Sequence, residues 1–188
     1  MTRRETAAPH TLLALLRGIN VGRARQVAMS DLRAIVESLG YGEVRTLLRN
    51  GNIVFSAHDR DTRAIATRLE EAIEAGLGMA VGVVVRTAEE LAAVTAADLL
   101  PVTATDGARR HVVFLPDHLA ADVRRWLEGE DFAPDVVRAA EREVHVWYEH
   151  GMSGSETATR IGRRLPRTAT DRNWNTVTKL LAMTRVEG

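Results

Sequence analysis

An α+β fold of two successive strand-and-helix units is predicted by three observations. The first half reads strand, helix, strand, strand, helix, strand. The second half nearly repeats that order. An Asn-Gly pair between two apolar runs marks a hairpin.

In the first half, residues 12–16 are apolar on both faces, as suits a strand covered from both sides. After the GINVGRARQ loop, Met29, Leu32, Ile35, Val36 and Leu39 recur at helical spacing, with Gly40 as a stop. Residues 44–48 and 53–56 flank Asn50-Gly51, a pair expected to take positive φ at both turn positions. Asp61 or Thr62 can cap a helix carrying Ile65, Leu69 and Ile73, with Gly76 and Gly78 ending it before a strand at 81–85. Thr87 with Glu90 has the spacing of a capping box and opens an Ala-rich connector helix. The stretch 101–107 reads as a linker, which divides the chain into units 1–100 and 108–188.

The second half begins with a strand at 111–115 and a helix carrying Leu119, Val123, Trp126 and Leu127, ended by Gly129. Residues 136–139 and 144–148 read as paired strands. Ser153 with Glu156 forms a second capping-box pattern, before a helix carrying Ala158, Ile161 and Leu165 that must stop by Pro166. No closing strand is legible. A last helix with Trp174, Val177, Leu180 and Leu181 follows instead, so this unit reads as a variant ending in a helix. The two halves share an order of elements but no residue-level identity.

Composition narrows the function classes. A globular chain of 188 residues hides roughly 70% of its unfolded surface and needs no staples. It has no cysteine, which removes disulfides, thiolate metal sites and a cysteine nucleophile, and fits a reducing compartment. The apolar run at 12–16 is broken at once by Arg17, too early for a signal peptide, and no apolar stretch is long enough to span a membrane. A cytoplasmic location is therefore expected. Zero formal charge and a pI near 7.0 give no field to condense the chain onto nucleic acid or an acidic membrane. Lys179 is the single lysine among 25 basic residues, and with abundant Ala, Val and Gly this reads as codon bias rather than as an anion site.

Three polar segments set into apolar elements carry most of the information: LLRGINVG from Leu15, GNIVF from Gly51, and RNWNTV from Arg172. Together, with Met29, Leu32 and Arg33 between the first two, they resemble the signatures of a bacterial family known only as domain of unknown function 1697. The resemblance implies ferredoxin-like βαββαβ packing and carries no chemistry. Departures from the family pattern stand at Arg23, Leu47, Arg49 and Asn50.

Each segment has a functional and an architectural reading. Arg17 and Asn20 can present a guanidinium and an amide at a strand end, or Gly18 and Gly22 can supply unusual φ while Asn20 satisfies loop backbone groups. Asn52 enters an apolar strand, where its amide must brace a loop or meet a ligand. Arg172, Asn173 and Asn175 open the final helix, where free N–H groups favour an anion, or Thr170 or Asp171 caps the helix, Trp174 plugs the core and Arg172 pairs with a carboxylate from the other half.

The leading expectation is a small polar or anionic ligand held between the two units, where Arg17, Asn20, Asn52, Arg172, Asn173 and Asn175 converge. The competing one is an interaction or regulatory module whose polar motifs lock the halves together. RNA binding is disfavoured by the scarcity of aromatic residues on strands. The histidines lack metal-ligand spacing, the serines lack a nucleophile elbow, and neither a catalytic residue nor a cofactor is indicated. Oligomeric state is left open.

Overall fold

A computed structural model describes residues 8–20, 26–97, 99–101 and 103–185. The chain runs β1 (His10–Leu16), α1 (Met29–Ser38), β2 (Gly42–Leu47), β3 (Asn52–Ala57), α2 (Thr62–Leu77), β4 (Val83–Thr87) and α3 (Ala88–Ala97). It continues β5 (Arg110–Phe114), α4 (Ala121–Gly129), β6 (Val136–Ala139), β7 (Glu143–Trp147), α5 (Glu156–Arg164), β8 (Thr170–Asn173) and α6 (Trp174–Thr184).

Two four-stranded antiparallel sheets result, ordered β2-β3-β1-β4 and β6-β7-β5-β8. Both have the ferredoxin-like order, so the expected fold class holds. The second unit does end in a helix, but β8 first closes its sheet. That strand is short and polar, and Arg172 is buried in it, so no apolar alternation betrayed it. Each unit is thus βαββαβ followed at once by a helix.

Three apolar layers hold the molecule together. One face of the first sheet packs on α1 and α2 through Leu12, Phe55, Leu69 and their neighbours. One face of the second sheet packs on α4 and α5 through Val144, Val146 and Ile161. The remaining faces share a core in which Leu13, Leu15 and Val84 meet Val112 and Phe114, with Leu91 of α3 and Val177 and Leu180 of α6. Burial in this shared layer, at about 25 cal/mol per Å² of apolar surface, couples the two units.

Several local expectations are corrected. The hairpin turn is a four-residue connection from Leu48 to Gly51, closed by Leu47 opposite Asn52, with positive φ at Leu48 and Gly51 rather than at Asn50. Ser155, not Ser153, caps α5, accepting from the Ala158 amide. Asn173, not Thr170 or Asp171, caps α6, because the helix begins at Trp174 directly after it and the other two residues lie earlier in β8. The reciprocal Thr87–Glu90 capping box and the Asp61 cap are present as read.

Candidate functional site

The six residues singled out from the sequence divide into two groups. Arg17, Asn20, Asn52 and Arg172 gather where β1 ends beside the hairpin and β8. Asn173 and Asn175 do not join them.

Arg172 is the centre of the first group. Its Nε donates to Asn52 Oδ1 at 2.5 Å. Its Nη1 donates to Thr170 Oγ1 and the Asp171 carbonyl, both at 2.7 Å. Its Nη2 donates to the carbonyls of Leu16 at 2.7 Å and Asn50 at 3.1 Å. Every guanidinium N–H therefore has an acceptor, and none is left to contact a ligand. Burial holds its pKa down to about 10, against the weaker opposing pull of Asp171. Asn52 is fully buried and completes the brace by donating to the Leu47 carbonyl and to Asn50 Oδ1.

Asn20 sits at φ 55° and ties its loop to the hairpin: Nδ2 donates to the Val27 and Arg49 carbonyls, and Oδ1 accepts from the Val27 amide. Gly22 lies outside the described residues. Asn173 accepts from the Thr176 amide as a helix cap. Asn175 is exposed and packs on the loop at Gly107, where any larger residue would collide with its amide.

Arg86 was not singled out from the sequence, yet it mirrors Arg172. It is 1% exposed in β4, one residue before the α3 capping box. Arg86 stands opposite Leu13 on β1, and Arg172 stands opposite Val112 on β5. Three residues further along the chain lie Leu16, the last residue of β1, and Leu115, just past β5, and each arginine reaches the carbonyl of the other unit: Arg172 to Leu16, and Arg86 to Leu115 at 2.8 Å. The correspondence extends to the side-chain acceptors. Asn52 stands opposite Leu15 and Glu143 opposite Phe114, and Arg86 Nε donates to Glu143 Oε1 at 3.0 Å. Two reciprocal arginine clamps thus join the units, one ending on a carboxylate and the other on an amide.

Beside the Arg172 clamp lies a cleft of about 390 Å³. Ile19, Val113, Ile161 and Leu165 form apolar walls, and Arg17, Tyr148 and Asp171 supply polar groups. Arg17 Nη1 donates to the carbonyls of Arg167 at 2.6 Å and Ala169 at 2.9 Å, while its Nε and Nη2 donate to no described residue. Asp171 Oδ1 lies 2.5 Å from His111 Nδ1, and His111 Nε2 lies 3.0 Å from the Ala108 carbonyl. Both ring nitrogens thus face acceptors, which favours imidazolium. Burial pulls the His111 pKa down, but the Asp171 bond and charge and the Ala108 carbonyl outweigh it and leave the pKa raised. Tyr148 is pushed up, mainly by burial and then by Asp171 and Asp135, so its phenol stays protonated.

Gly162 of α5 also faces this cleft. A side chain there would meet nothing within 4 Å, so packing does not demand glycine. Glycine in a helix costs about 0.8–1 kcal/mol relative to alanine.

Arg17 and Arg172 stand out in the sequence, but Tyr148, Asp171 and Gly162 as neighbours of one cleft do not. Strand pairing and helix packing bring these together across long separations, and no local spacing signals it. Arg86 did have a signal, a charge inside the apolar run VVVRT.

Among the described residues no cluster of three or more His, Asp or Glu is placed to hold a metal, and no helix is long and apolar enough to cross a membrane.

Comparison with known proteins places these features in context. The family described as "Protein of unknown function (DUF1697)" matches residues 10–145. A solved structure of a conserved bacterial protein, SP0830 from Streptococcus pneumoniae, superposes with a TM-score of 0.75 at 24% identity, covering 95% of this chain and 100% of that one. At that identity the likeness speaks to the fold. No curated protein matches the chain.

Proposed function

The chain belongs to the DUF1697 family of proteins of unknown function, and on that premise we propose that it binds a small organic anion with an apolar body in the cleft beside Arg172. The cleft carries this reading. Its volume of about 390 Å³ is in the range of small-molecule sites, which combine apolar walls with few polar anchors. Arg17 is the anchor, because its Nη1 is fixed by the backbone carbonyls of Pro166, Arg167 and Ala169 while Nε and Nη2 offer a fork to a carboxylate or phosphate. Arg172, with every donor engaged, shapes the cleft rather than touching the ligand. Gly162 supports the same reading, since its missing side chain keeps space open where packing would tolerate more.

The polar motifs as an inter-unit lock fit the two clamps equally well, and a lock and a ligand cleft are compatible. RNA stacking has less support, because both faces of each sheet are engaged in apolar layers.

The test is a thermal-shift screen of the intact protein against aliphatic and aromatic carboxylates and phosphates, repeated with Gly162→Leu and Arg17→Ala. A Cβ at Gly162 meets nothing within 4 Å, so Gly162→Leu is expected to remain folded, occupy the cleft and lose the response. Stabilisation that survives both substitutions would place the ligand elsewhere.

A further inference from the structure

We infer that the cleft takes a zwitterionic ligand, an apolar α-amino acid or a molecule with the same adjacent ammonium and carboxylate, oriented between Arg17 and Asp171. This rests on the cleft being a ligand site, and it assigns the second pole of that ligand.

Arg17 and Asp171 line one cleft with opposite charges, yet no ion pair joins them. Each is held by something else. Arg17 is fixed through Nη1 on the Arg167 and Ala169 carbonyls, and Asp171 through Oδ1 on His111. Each therefore keeps one side for a further partner: Nε and Nη2 on the arginine, Oδ2 on the aspartate. Ala169, which receives Arg17, precedes Asp171 by only two residues, so the two charged groups reach the cleft from neighbouring points of one segment. A molecule bridging them carries an ammonium and a carboxylate close together, as an α-amino acid does.

The surroundings select the rest of the molecule. Val113 stands opposite Asp171 in the sheet register, so its side chain shares the face of the carboxylate, and Ile161 of α5 and Leu165 just after it line the same cleft. An apolar side chain fits there. Tyr148, protonated and 1% exposed, adds a phenol to the same lining. A simple fatty acid would leave Asp171 facing an apolar group, which costs desolvation without return. A simple amine would leave Arg17 in the same position.

Three probes with one carbon skeleton separate these cases: leucine, 4-methylpentanoate, which lacks the ammonium, and 3-methylbutylamine, which lacks the carboxylate. Their affinities for the intact protein are measured by calorimetry, with Asp171→Asn as the variant. Leucine is expected to bind roughly tenfold or more tighter than either analogue, the weight of one charge-assisted hydrogen bond. Asp171→Asn is expected to reduce its advantage over 4-methylpentanoate. Because that variant also loses the His111 contact, the comparison of probes on the unaltered protein stands by itself. Equal binding of leucine and 4-methylpentanoate overturns the zwitterion while leaving the anion cleft intact. So does a carboxylate or phosphate that stabilises the protein in a Gly162-sensitive way when leucine does not bind. No Gly162-sensitive binding by any probe or screened anion overturns the cleft and the zwitterion together.

Discussion

Arg86 and Arg172 occupy the same place in the two halves of the molecule, and each donates to a main-chain carbonyl at the end of the first strand of the other half, Leu16 in β1 and Leu115 just past β5. The two differ in counter-charge. Arg86 meets the Glu143 carboxylate at 2.8 Å, whereas Arg172 meets only dipoles in contact, from carbonyls, a hydroxyl and the Asn52 amide.

That difference makes the clamps respond differently to mutation. Arg86→Met leaves a carboxylate buried and unpaired, with an expected loss of about 3–5 kcal/mol by urea unfolding. Adding Glu143→Met should recover part of it, so the double variant is less destabilised than the sum of the singles. Arg172→Met strands neutral acceptors instead, at about 1–3 kcal/mol for each one left unsatisfied. No single carboxylate substitution is expected to rescue it.

Gly51 is held by the same junction. It has φ +76°, and a side chain would stand 2.7 Å from Leu16 Cβ and 2.9 Å from Ile19 Cδ1. Its carbonyl also receives the Leu16 amide at 2.8 Å. Gly51→Ala should therefore cost more than the ~1–3 kcal/mol of backbone strain alone, seen as a lowered urea midpoint. Gly162→Ala should do the opposite, raising stability by about 0.8–1 kcal/mol through helix propensity.

The His111–Asp171 pair predicts a pH dependence. The His111 pKa lies above its ordinary 6.5 in the folded protein, so the native state holds the proton more tightly than the unfolded one. Its stabilisation is complete below pH 6.5 and is lost as pH rises through the raised value. The urea midpoint should fall across that window, and Asp171→Asn should flatten the fall. A midpoint that rises over the same window would refute the assignment.

How much of this was legible depends on where each residue's partners lie. Strands β1, β3 and β4 and helices α1 and α2 follow from local apolar periodicity, and the structure contains them. Strand β8 does not, because Thr170 and Arg172 are buried through hydrogen bonds to the other unit, a condition that hydrophobic patterning cannot register. The same applies to the site. Asn52 inside an apolar strand announced a braced amide, but that its partner would be Arg172 is fixed by packing between residues 120 positions apart. The turn at Asn50-Gly51 was misplaced because Leu48 accepts the left-handed conformation in a longer loop. The repeat stayed hidden because Asn52 and Glu143 fill one structural position with different side chains.

Amide chemical-shift mapping of the intact protein with a stabilising anion tests the central claim most directly. Shifts are expected to cluster at Arg17–Ile19, Tyr148, Ile161–Leu165 and Ala169–Arg172, around the cleft, and to spare the equivalent junction at Arg86 and Leu115. Shifts confined to another surface, or equal at both junctions, would contradict the account.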